Sequence, residues 1–209
     1  MRMVLCASLL MRRGAGVVIR QVASQAKRKN APAQAQGFFE ALNREARPTV
    51  RLLDLTEGDP MPYAKCCDLQ THLVNECIEG ARDALILVEH PPVYTLGRGA
   101  TQEHVLFDAE APGAPELHRA ERGGDVTYHG PGQLVMYPIL ALRNYKQDSH
   151  WYLRALEEVV VRACDKVGAS GAGRADKHTG VWLGGHKVAA AGVAMRKWIT
   201  YHGISLNYG

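Results

Sequence analysis

The 209-residue chain is 46% apolar and 22% charged, enough for one packed core and unlike a fibrous or broadly disordered protein. Its net charge of +4 belongs to one end: Arg2, Arg12, Arg13, Arg20, Lys27, Arg28 and Lys29 lie within residues 1–39, which hold no acid, leaving 18 basic against 21 acidic residues elsewhere. That body carries no electrostatic footprint for nucleic acid, and no run approaches the ~20 apolar residues that span a bilayer.

The Arg-rich, acid-free start, with Ser8 and Ser24, has the pattern of an organelle transit peptide. Val4 to Met11 is a short apolar run, as in a secretory signal, but Arg12 and Arg13 directly after it argue against a small-residue cleavage site. Residues 1–47 are therefore expected to be a transit peptide and polar connection, and residues 48–209 one catalytic domain. A mitochondrial address is expected, with the plastid as the alternative. The five cysteines (Cys6, Cys66, Cys67, Cys77 and Cys164) are odd in number and contain no Cys-x-x-Cys. They fit a reducing compartment and no metal site.

Val50 to Leu55 reads as a first strand. Pro62 suits a helix's first turn, and Cys66, Leu69, Leu73 and Cys77 recur at helical spacing up to Gly80. Ala84 to Val88 is a short apolar strand, broken by His90-Pro91-Pro92 and resumed over Val93 to Leu96. Residues 108–118 read as loop, given Ala111-Pro112-Gly113-Ala114-Pro115. Leu134 to Leu142 is a strand in which Pro138 suggests an edge or a bulge. Ser149 can cap a helix whose stripe is Leu153, Leu156, Val160, Ala163 and Val167, ended by Gly168. Gly180 to Leu183, the Gly184-Gly185 turn, Lys187 to Met195 and Trp198 to Leu206 read as antiparallel hairpins. The sum is an α+β domain: helices packed on a mainly antiparallel sheet.

Three constellations carry chemistry. In Arg122-Gly123-Gly124-Asp125-Val126-Thr127-Tyr128-His129-Gly130-Pro131-Gly132-Gln133, four glycines let backbone amides approach a ligand, and Arg122, Thr127, Tyr128 and His129 add polar groups. A glycine turn that merely joins two strands is the competing reading, and no Gly-Lys-Ser/Thr phosphate loop is present. The second runs from Thr179 through Lys187 to Val193. Ala189, Ala190, Ala191 and Gly192 form a smooth wall able to accept an alkyl chain, and a cation beside it would favour a thiolate. Spacing alone favours a solvated hairpin lysine and tight sheet packing. The third is Thr200-Tyr201-His202-Gly203-Ile204-Ser205-Leu206-Asn207, where His202 is an acid, a base or a structural hydrogen bonder.

Together these segments, with His90-Pro91-Pro92-Val93-Tyr94-Thr95-Leu96-Gly97, resemble the lipoyl(octanoyl) transferase family over residues 50–209. The resemblance implies the α+β fold shared with lipoate and biotin protein ligases. It implies transfer of an octanoyl group from octanoyl-acyl carrier protein to a lysine of lipoyl domains, those of 2-oxoacid dehydrogenase complexes and the glycine cleavage H protein. The transfer would run through a cysteine thioester and need no cofactor or metal. Lys187 matches the lysine that lowers the nucleophile's pKa. Arg122, Gly123, Gly124, Asp125, Val126, Thr127, Tyr128 and His129 match the loop around the acyl thioester, and Ala190, Ala191, Gly192, Gly203, Ile204 and Ser205 match other substrate contacts. The family's nucleophile lies in a Pro-Cys-Gly segment downstream of the third constellation, and no cysteine here matches it. The chain is accordingly expected to be a fragment without transfer activity of its own. An ATP-dependent lipoate-protein ligase, or a non-catalytic protein that binds acyl carrier protein or lipoyl domains, are the rival readings.

Overall fold

The computed structural model describes residues 49–175 and 178–209, so the transit peptide expected over residues 1–47 lies outside the described residues. Strand β1 (Arg51–Asp54), helix α1 (Tyr63–Ile78) and β2 (Ala84–Val88) open the domain. The helix is a crossover, so β1 and β2 pair in parallel. Then come β3 (Val93–Leu96), β4 (Glu116–Arg119), β5 (Val126–His129), β6 (Gln133–Ile139) and α2 (Ser149–Lys166). Strands β7 (Val181–Leu183), β8 (His186–Arg196) and β9 (Ile199–Asn207) complete it.

Six strands form one sheet in the order β1-β2-β6-β9-β8-β7, antiparallel except at β1/β2, and three form a smaller sheet in the order β4-β3-β5. The expected α+β architecture is therefore present. Alternate residues of β6 divide between the faces of the large sheet. Val135, Tyr137 and Ile139 pack with Cys66, Leu73, Val74 and Cys77 of α1, whereas Met136 packs with Leu156, Val160 and Cys164 of α2. Each helix therefore covers one face. No helix among the described residues is long and apolar enough to cross a membrane.

Four local expectations need correction. Asp148, not Ser149, caps α2: its side chain accepts the Trp151 N–H at 3.0 Å. Residues 116–118, read as loop, belong to β4, and the glycine-rich run contains β5; both pair with β3 and so gain ladder bonds that composition alone does not reveal. Trp198, read as the start of the last strand, instead lies in a tight turn with Lys197, both at positive φ (63° and 53°), as at Gly184 and Gly185 (59° and 83°).

The fourth correction is Pro138, which lies in an inner strand, not at an edge. Its missing N–H falls where β6 and β9 stop pairing, beyond Met136↔Ile204. Opposite it, His202 turns to φ 54°. The freed His202 N–H donates to Gln70 Oε1 of α1 at 2.8 Å, and Pro138 O accepts from Thr200 Oγ1 at 2.7 Å. A Cβ on Gly203 would lie 2.1 Å from Met136 O, so only glycine allows the strands this close. Strict alternation would place His202 with Val193 and Ile204 toward α2. The turn instead brings its ring beside Tyr137 and Tyr201, at centroid distances of 6.2 and 5.2 Å, on the α1 face.

Candidate active site

The part of the large sheet's α1 face that the helix itself leaves uncovered is roofed by β5 and the loop before it. Between them lies a cavity of about 520 Å³. Its roof is residues 124–129 with Arg122; its floor is residues 190–192 of β8 and 203–205 of β9; Lys187 stands on its wall. All the sequence-predicted residues line this space except Gly123, which sits behind Gly192: its N–H donates to Val193 O at 3.1 Å. A Cβ on Gly192 would lie 2.8 Å from Gly123 O, so the smooth floor is also what lets the roof approach. Three segments far apart in sequence thus meet at one site.

Arg122 ties the roof loop to β3 of the smaller sheet. It is buried, and its Nη2 donates to Thr95 O and Oγ1 at 2.8 and 2.7 Å, while Nη1 donates to Gly123 O and Asp125 O, each at 3.0 Å. All four acceptors are neutral, so its charge is oriented but not cancelled. The Asp125 carboxylate, at the rim, is held below the usual range by its bond from His104. Lys187 has no carboxylate partner among the described residues; its Nζ stands 5.0 Å from the Trp182 ring centroid. Two cations thus line the cavity with no salt bridge to a carboxylate among the described residues, an arrangement that favours negative charge beside them.

His129 and His202 both line it and are both neutral at neutral pH. Burial, aided by the Arg122 charge, pushes each down to about 4. His129 is oriented by a side-chain chain. Gln133 Nε2 donates to Asn207 Oδ1 at 2.9 Å and Tyr128 O at 3.2 Å, which leaves Gln133 Oε1 to accept from His129 Nδ1 at 2.5 Å. His129 Nε2 is then the unprotonated nitrogen. His90 is a different case: Nδ1 donates to Met61 O at 2.7 Å and Nε2 accepts from Tyr137 OH at 2.9 Å, so it is a satisfied core histidine.

Sequence reasoning missed Tyr63 and Tyr137, which also line the cavity. Tyr137 lies inside an apolar strand run and Tyr63 at a helix start, and nothing in their spacing separates them from core. No cysteine among the described residues lines the cavity. Burial pushes the Cys66 thiol up to about 12 and Cys77 up to about 11, and it also raises Cys67 and Cys164. No group of three His, Cys, Asp or Glu among the described residues is placed to hold a metal ion.

The family model for the lipoyl protein ligase A/B catalytic domain matches residues 62–209. A chloroplastic octanoyltransferase of Arabidopsis thaliana is 49% identical over 154 residues, covering 70% of this chain and 54% of its own length. An octanoyltransferase of Nostoc punctiforme is 49% identical over 166 residues, covering 78% of this chain and 71% of its own. The fold is also that of a bipartite lipoate protein ligase of Thermoplasma acidophilum, with a TM-score of 0.55 at 21% identity over 78% of this chain and 62% of that one. The chain thus spans about half the length of the plant relative. The mitochondrial address expected from residues 1–47 is corrected by the same comparison: the plant relative is chloroplastic, and the Nostoc relative is cyanobacterial. With its catalytic-domain match and its octanoyltransferase relatives, the chain belongs to the lipoyl protein ligase A/B catalytic domain family.

Proposed function

We propose that the cavity is the acyl-transfer site of an octanoyltransferase. It takes the octanoyl group of octanoyl-acyl carrier protein and delivers it to a lysine of lipoyl domains, including those of 2-oxoacid dehydrogenase complexes and the glycine cleavage H protein. The supporting observation is one space that joins an alanine–glycine floor with two cations, Arg122 and Lys187, neither of which forms a salt bridge with a carboxylate among the described residues. An alkyl chain lies on such a floor, and the cations favour a thiolate and the oxyanion of a tetrahedral intermediate. In the first step a thiolate attacks the donor's thioester carbonyl and the carrier's thiolate leaves. In the second, the acceptor lysine's neutral amine attacks the enzyme thioester, the C–S bond breaks as the amide forms, and the proton the amine loses goes to the leaving thiolate. Thioester exchange is nearly balanced and thioester-to-amide transfer is downhill, so the scheme needs neither ATP nor metal.

The thiol belongs to none of the described cysteines. The 209-residue polypeptide is accordingly expected to form no hydroxylamine-sensitive octanoyl adduct from octanoyl-acyl carrier protein. The function itself is tested with protein expressed from the native transcript, reading the mass of a lipoyl domain. ATP-independent octanoylation supports the proposal. Modification that requires free lipoate and ATP would make the protein a ligase; binding without any modification would make it a non-catalytic partner.

We further infer a plastid address, supported by the chloroplastic plant relative and the basic, acid-free start of the chain. A fluorescent fusion of residues 1–47 is expected in plastids, and accumulation in any other compartment would refute this.

A further inference from the structure

Lys187 is held in place by groups that do not line the cavity. Glu157 of α2 is fully buried at 0% exposure. Its Oε2 accepts from Arg154 Nη1 at 2.8 Å, and its Oε1 accepts the Gly180 N–H at 2.7 Å. A carboxylate bound to a backbone amide in a buried setting makes a strong, short bond, so the amide's position is fixed from the helix. Gly180 is at φ +133°, and a Cβ there would stand 2.5 Å from Ala189 O and 3.1 Å from Lys187 Cε. The lysine stem therefore lies across the bare Cα of Gly180. Beyond it, the ammonium reaches the Trp182 ring, whose own backbone is tied to Gly173 by bonds of 2.8 and 2.9 Å.

We propose that Glu157 is a positioning residue for the Lys187 ammonium, acting through Gly180 and the Trp182 ring. Nothing in the sequence connects them: Glu157 is one of two adjacent glutamates on a helix, thirty residues before the lysine. The arrangement has a chemical point. A carboxylate in direct contact with Lys187 would neutralise it, whereas an aromatic face holds a cation by its quadrupole and leaves the charge available to an anion in the cavity. Glu157 supplies the rigidity from a distance while its own charge is spent on Gly180 and Arg154. This rests on the reading of Lys187 as the cation that serves acyl transfer.

The test is spectroscopic and independent of turnover. Lysines of the full chain are reductively methylated with ¹³C, and the Lys187 signal is identified by its absence in Lys187→Arg. Over the indole face its methyl protons are expected upfield of the other lysines. Glu157→Ala is expected to remove that displacement, and Glu157→Gln, which keeps an oxygen acceptor for Gly180 N–H, to retain it. Gly180→Ala, whose new Cβ displaces the stem, is expected to remove it too and decides the matter together with Glu157→Gln if Glu157→Ala does not fold. An unchanged displacement in folded Glu157→Ala or in Gly180→Ala overturns the proposal, as does its loss in Glu157→Gln. If Glu157→Ala loses the displacement but the native-transcript protein carrying it transfers octanoyl at the wild-type rate, the positioning stands and Lys187 leaves the reaction.

Discussion

At the scale of single residues, the cavity combines fixed positive charge with histidines that burial keeps neutral. The consequence for pH follows from the sign of the shift. His129 and His202 have folded values of about 4 against 6.5 when unperturbed, so between these values the unfolded chain binds more protons. Their contribution to stability is whole above pH 6.5 and is lost as pH falls toward 4, by roughly 3 kcal/mol for each ring. Denaturant unfolding from pH 7 to pH 4 is expected to show this fall, and it should shrink in His129→Gln and again in the double variant with His202→Gln. Histidine ring signals that titrate near 6.5 for either residue would contradict the neutral assignment. The same values bear on catalysis: an imidazole this weak is not the final proton acceptor for an alkyl ammonium, and a pH–rate profile of the native-transcript protein should show no limb from either ring.

Secondary-structure elements show what a linear pattern discloses and what it hides. Both helices follow from their 3.6-residue periodicity, but the face α2 buries is Tyr152, Ala155, Leu156, Val160 and Cys164, and Leu153, Ala163 and Val167 of the expected stripe are only half-buried. The Gly184-Gly185 hairpin follows from the need for positive φ at both turn residues. Strand β5 was hidden because its glycine-rich approach dominates the composition, while its pairing with β3 is a long-range choice. The His202 break was hidden for a related reason: Pro138 signals an interrupted ladder, but the partner that repairs it, Gln70, is 132 residues from His202 in sequence. Two changes probe the break. Gln70→Ala leaves a buried N–H without an acceptor and is expected to cost about 1–3 kcal/mol. Gly203→Ala drives a Cβ into the Met136 carbonyl and is expected to cost about 3 kcal/mol or more, since neither backbone can yield. Chemical denaturation measures both. A Gly203→Ala variant as stable as wild type would show that the strands are not in close approach here.

For the molecule as a whole, the site exists only because two sheets meet. Beyond the continuous chain, the roof is held to β8 by the Gly123–Val193 bond, and Arg122 ties the roof loop to β3 with two hydrogen bonds donated to Thr95 and two to the loop's own carbonyls. Sequence reading placed Arg122 and residues 123–129 at the site as substrate contacts, but it could not tell that the arginine's donors are consumed by the protein itself. That distinction makes a prediction opposite to the one for a simple substrate contact. If Arg122 only touched ligand, Arg122→Lys would weaken binding and leave the ligand-free protein unchanged. As a tie between loop and strand, it cannot be replaced by a single ammonium, which lacks the planar fork that reaches two elements at once. Arg122→Lys is expected to destabilise the ligand-free protein by about 2–4 kcal/mol, because buried carbonyl oxygens lose charged donors. Amide hydrogen exchange locates the damage: protection should fall across residues 122–129 and β3, while α1 and the β2–β6 pair keep theirs. Unchanged exchange over 122–129 in Arg122→Lys, with binding of octanoyl-acyl carrier protein reduced, would return the arginine to the role of a ligand contact and leave the roof held by its strands alone.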